Sequence, residues 1–144
     1  MSVKQISVFL ENRPGALRAM TSVLAENGID MQGFSLAEAS DFGIARIIVN
    51  DVYKTTTVLR DAEFVHNITP VVGVSVPDTP GGLDGVLAVL ADAGVNVEYM
   101  YAILGGQKDD GAYMIFRVAD PDKAAAALAA KGIKQLEQDD LAAL

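Results

Sequence analysis

Residues 12–17 read Asn-Arg-Pro-Gly-Ala-Leu, and residues 78–83 read Asp-Thr-Pro-Gly-Gly-Leu. The two Pro-Gly steps lie 66 residues apart, and the sequence around them keeps that spacing. Val8, Leu17, Val23, Leu24, Ala25 and Gly28 meet Val74, Leu83, Val89, Leu90, Ala91 and Gly94, and Ile6, Ile29 and Met31 meet Val72, Val95 and Val97. Later in each copy the spacing becomes 69, so that Asp51, Lys54 and Leu59 meet Asp120, Lys123 and Leu128. The added residues fall in the stretch Gly105-Gly106-Gln107-Lys108-Asp109-Asp110-Gly111, whose composition is that of a turn, so they lengthen a loop. The chain is one unit written twice, residues 1–70 and 71–144.

Within each copy the apolar spacing switches between the period of a strand and that of a helix. Residues 3–10 alternate, with Ile6, Val8 and Leu10 on one face, and Val72, Val74 and Val76 repeat the pattern. Residues 14–27 carry Leu17, Met20, Val23 and Leu24 at helical spacing, with Pro14 suited to the first turn and Gly28 to the stop. Residues 80–93 do the same, and Gly94 ends them. Residues 30–40 and 43–50 predict a hairpin, as do 96–104 and 112–118. Second helices begin at Asp51 and Asp120, both good N-caps, and final strands follow at 64–69 and 133–137. The order β-α-β-β-α-β predicts an α+β fold of two ferredoxin-like repeats packed side by side, each with helices on one face of an antiparallel sheet. Units of about 70 residues are marginal alone, which is a reason for them to share an interface.

Composition narrows the function. Half of the 144 residues are apolar, so a core can form, but no apolar run approaches the roughly 20 residues of a membrane span. The first five residues lack a signal-peptide pattern, so the expected location is the cytoplasm. A net charge of −8 disfavours nucleic acid as a partner. Cysteine is absent and His66 is the single histidine, so neither a metal site nor a cofactor is expected. No nucleophile–base pair stands out, and no catalytic role is expected. The loop at 11–15 has proline where a phosphate-cradling enzyme loop needs N–H groups.

The chemistry that remains is in the strand-to-helix loops. A helix N-terminus offers unpaired N–H groups and attracts carboxylates. Gly15 leaves the backbone bare for a ligand, and Asn12 offers both a donor and an acceptor. A bland alternative is that Pro14-Gly15 simply makes the turn and Asn12 caps the helix.

Asn12-Arg13-Pro14-Gly15-Ala16-Leu17 followed by Gly28-Ile29-Asp30 resembles the ACT domain, and nearly the whole chain resembles two such domains in tandem. The first copy is most similar to the serine-binding regulatory domain of phosphoglycerate dehydrogenase. The resemblance implies a non-catalytic regulator that binds a free amino acid or related metabolite between paired domains. It implies loop contacts at Asn12 and Asp78 and strand contacts at Asp30 and Asn96, with Arg13, Pro14, Gly15, Ala16, Gly81 and Gly82 beside them. A histidine that the family member carries before the loop is here Leu10, or Val76 in the second copy, which speaks against serine. Crossed pairing of the copies would join Asn12 with Asn96 in a neutral site and Asp78 with Asp30 in an acidic one. A homodimer is expected through outer strand edges, and a metabolic enzyme or regulator as partner. The alternative is a structural or oligomerisation module without a small ligand.

Overall fold

The computed structural model describes residues 2–104 and 111–142. The expected loop at 105–110 lies outside the described residues. The chain divides into two compact units, one of Lys4–Thr69 and the other of Pro70 onward, with which the residues before Lys4 are grouped.

The first unit contains β1 (Val3–Glu11), α1 (Ala16–Glu26), β2 (Met31–Ala39), β3 (Phe42–Val49), α2 (Val52–Asp61) and the opening residues of β4 (His66–Pro77). Its strands lie in the order β2-β3-β1-β4. Ile6 on β1 and Phe34 on β2 both sit opposite Ile47 on β3, which places one apolar row under the helices. Met20 and Leu24 from α1 and Leu59 from α2 close on that row, and all are essentially fully buried. Each such large side chain contributes roughly 1.5–3 kcal/mol of burial.

The second unit repeats the plan with the remainder of β4, α3 (Gly82–Asp92), β5 (Tyr99–Ala102), β6 (Gly111–Arg117), α4 (Pro121–Ala130) and β7 (Gln135–Leu136). A short helix, α5 (Gln138–Ala142), follows. Here β4 lies between β6 and β7, and β5 pairs the far side of β6. Val72, Val74, Leu90, Phe116 and Leu128 form the core. The chain thus has the two ferredoxin-like repeats that the patterning predicts.

Local chemistry accounts for most boundaries. Asp51 and Asp120 accept the backbone N–H groups of Lys54 and Lys123, as N-caps should. Gly28 and Gly94 end α1 and α3 at φ of +67° and +73°, a backbone region that costs a side-chain-bearing residue energy. Gly132 does so after α4 at +69°, whereas the first repeat puts Glu63 there at +64°.

Four expectations need correction. Both long helices begin two residues later than predicted, at Ala16 and Gly82, because Pro14 and Pro80 belong to turns before them. The predicted strands at 64–69 and at 71 onward form one continuous strand, β4. β7 covers two residues rather than 133–137, because the Glu137 N–H turns to the Asp140 carboxylate and the chain enters α5, which was not predicted. β5 starts at Tyr99 rather than 96, since the first ladder bond runs from the Glu98 N–H to the Arg117 carbonyl.

Candidate functional site

The two Pro-Gly steps have the same geometry. Gly15 has φ +85° and ψ −12°, and Gly81 has φ +84° and ψ −4°. With proline before each glycine, these are type II turns, whose third position requires positive φ. The Ala16 N–H reaches the Arg13 carbonyl at 3.3 Å, and the Gly82 N–H reaches the Thr79 carbonyl at 3.0 Å. Neither α1 nor α3 has a side-chain cap. Each repeat therefore presents an uncapped helix N-terminus beside a bare glycine.

Asn12 does not cap α1. Its amide donates to the Ser40 carbonyl at 3.2 Å, and its own N–H bonds the Asp41 carbonyl at 3.1 Å. Arg13 pairs with Glu11. The two polar side chains of the first loop are thus committed to neighbours in the same repeat. A shallow hollow of about 260 Å³ adjoins them, walled by Leu10, Leu17 and Leu36.

The two repeats differ between the start of the first helix and the loop that precedes the last strand. In the first repeat this groove measures about 410 Å³ and is lined by Ala16, Ala19, Glu63 and Val65. The equivalent groove of the second repeat measures about 700 Å³, with Gly82, Gly85, Gly132 and Lys134 at the matching places. That volume falls in the range of small-molecule sites. The three glycines have different reasons to be there. A Cβ on Gly82 would stand 2.0 Å from the Pro77 carbonyl oxygen, so that space is already filled. Gly132 needs its positive φ. Gly85 has neither reason: it lies inside α3, and a Cβ there would meet nothing within 4 Å. Glycine inside a helix costs about 0.5–1 kcal/mol relative to alanine, and what it leaves here is open space facing the groove. Gly81 and Gly82 of its near wall were among the expected contacts; its far wall was not foreseen, because it comes from the loop after α4, some 50 residues from the turn.

The remaining predicted residues lie as follows. Asp30 bonds Asn50 through its backbone N–H and carbonyl. Asn96 is exposed and lines a separate hollow of about 390 Å³ with Glu98, Asp120 and Lys123. Asp78 is exposed and does not line the large groove. Asn12 and Asp30 belong to the first unit, Asp78 and Asn96 to the second. His66 is half-buried, with Nδ1 2.8 Å from the Phe64 carbonyl. Among the described residues no cluster is placed to hold a metal ion, and no helix is long and apolar enough to cross a membrane.

Two βαββαβ repeats in one chain, each with a glycine turn and an uncapped helix at the end of its first strand, define a tandem ferredoxin-like α+β module. The comparisons make it specific: the family model described as an ACT domain pair matches residues 1–144, and the chain belongs to that family. A pair of this kind is a regulatory architecture. The chain is similar to a crystal structure of a Bacteroides thetaiotaomicron protein, at 41% identity and a TM-score of 0.91, covering 100% of this chain and 98% of that one. The fold is shared with the ligand-free regulatory subunit of aspartate kinase from Thermus thermophilus, at 19% identity and a TM-score of 0.62 over 90% of each chain. The corresponding subunit from Thermus flavus gives 16% and 0.59, over 88% of this chain and 90% of that one. These structures support the ACT pair and not, specifically, the expected likeness of the first copy to the serine-binding domain of phosphoglycerate dehydrogenase. No curated protein matches the chain.

Proposed function

We propose that this ACT pair is a non-catalytic regulatory module that binds a free amino acid or a related small metabolite. The observation that carries the reading is the groove of about 700 Å³ beside the second Pro-Gly turn, where Gly85 leaves the helix backbone open. Binding that orders this loop would bias the chain between two states, which is the coupling a regulator needs. The target would be a metabolic enzyme or another regulator in the cytoplasm. The edge strand β2, nine residues without lysine or proline, offers a second copy of the chain a place to pair, giving a homodimer.

One observation favours the rival reading, an oligomerisation module with no small ligand: Asn12 and Arg13 are already held by Ser40 and Glu11. A thermal-shift screen with the twenty amino acids and their 2-oxo acids separates the two readings. A compound present at 100 times its Kd adds about 2.7 kcal/mol of stability. A flat screen, confirmed by titration calorimetry on the full chain, would leave the oligomerisation reading in possession.

A further inference from the structure

Accepting the regulatory reading, we infer that the groove of the second repeat takes a small apolar carboxylate without an ammonium group, the class that includes branched 2-oxo acids, rather than an amino acid. The inference rests on what lines the groove. Val86, Val89 and Ile133 give it an apolar wall. Lys131 and Lys134 stand at it on either side of Gly132, and neither forms an ion pair with a described residue. In a chain of net charge −8, two lysines without a carboxylate partner among the described residues, beside a hollow of about 700 Å³, are a local reversal of sign.

Among the described residues no aspartate or glutamate lines this groove, and the neighbouring Asp78 and Asp84 do not contribute to it. An ammonium brought here would meet cations and, among the lining side chains, a single acceptor, the Ser75 hydroxyl. Leaving it poorly solvated costs binding energy, whereas a carboxylate gains charge-assisted hydrogen bonds. The same preference is absent from the first repeat. There Ala19 and Glu63 occupy the places of Gly85 and Gly132, and Val65 that of Lys134, so the hollow is smaller and carries an acid where the second repeat has none.

Calorimetry on the full chain with four probes tests this: 4-methyl-2-oxopentanoate, L-leucine, the uncharged 4-methylpentanamide and inorganic phosphate. The oxo acid should bind one site per chain, and the other three at least about tenfold more weakly, a gap of 1.4 kcal/mol. The double variant Lys131→Gln/Lys134→Gln should weaken the oxo acid by at least about tenfold and leave the amide unchanged. Gly85→Leu should abolish oxo-acid binding while the melting temperature of the unliganded chain does not fall. Ala19→Leu, at the equivalent place in the first repeat, should leave binding intact. Oxo-acid binding that is no tighter than L-leucine, or that survives Gly85→Leu, overturns the inference. If an amino acid binds and ignores Gly85→Leu, this assignment falls and the regulatory reading stands. If neither amino acids nor carboxylates bind, both fall.

Discussion

Gly82→Ala and Gly85→Ala place the same methyl group three residues apart on one helix, and the structure gives them opposite signs. At Gly82 the new Cβ would lie 2.0 Å from the Pro77 carbonyl oxygen and 3.0 Å from its carbon. Ordinary contact begins near 3.4 Å, so strand end and helix start must separate by more than 1 Å. That movement strains the type II turn, whose closing bond from Gly82 to Thr79 is 3.0 Å long. Overpacking of this kind costs about 1–3 kcal/mol, and the backbone nature of the obstacle puts it at the upper end. Alanine's better helix propensity returns less than about 1 kcal/mol at a first helical position. Gly82→Ala should therefore lose about 1–2 kcal/mol. Gly85→Ala meets nothing and should gain about 0.5–1 kcal/mol. Urea unfolding followed by circular dichroism reads both, with the m-value as a check that the denatured state is unchanged. A Gly82→Ala chain as stable as the parent would refute the close approach of Pro77 and, with it, the account of why this position departs from Ala16.

Other perturbations follow from the same repeat logic. Asp51→Ala and Asp120→Ala each remove a helix cap and should each cost about 1 kcal/mol by chemical denaturation; equal losses would show the copies to be equivalent there. Glu63→Gly relieves a left-handed residue and should stabilise the chain by roughly 0.5–1 kcal/mol, while Gly132→Glu should do the reverse; melting temperatures decide the sign. Leu24→Ala and Leu90→Ala empty matching core positions, each about 1% exposed, and should cost about 2–5 kcal/mol apiece. A loss under 1 kcal/mol at either site would mean that its core is not packed as described.

The parts of this molecule legible in the sequence are those that local chemistry decides. Pro-Gly at 14–15 and 80–81 announces a turn because proline presets one dihedral and glycine supplies the other. Asp51, Asp120, Gly28 and Gly94 mark helix ends for equally local reasons. The two-residue error at each helix start has the same origin: proline suits both the first helical turn and a type II turn, and pattern alone does not separate them. Asn12 illustrates the limit for the site. Its position invites a ligand contact or a cap, yet its amide goes to Ser40, 28 residues away, and only the fold of the hairpin brings that carbonyl to it. The groove at Gly85 was invisible for a similar reason, since Lys131 and Ile133 come to it from beyond α4. The signal that did exist was the mismatch between the copies: glycine at 85 and 132 where the first copy has Ala19 and Glu63.

The bare backbone at Gly85 also offers a tool. The chain contains no cysteine, and an atom added at this position displaces no neighbour. Gly85→Cys would therefore install the molecule's single thiol in the hollow, where a bulky thiol label should close the site covalently, as leucine would by substitution. Labelled and unlabelled portions of one preparation would then form a matched closed and open pair for any screen of compounds or partners.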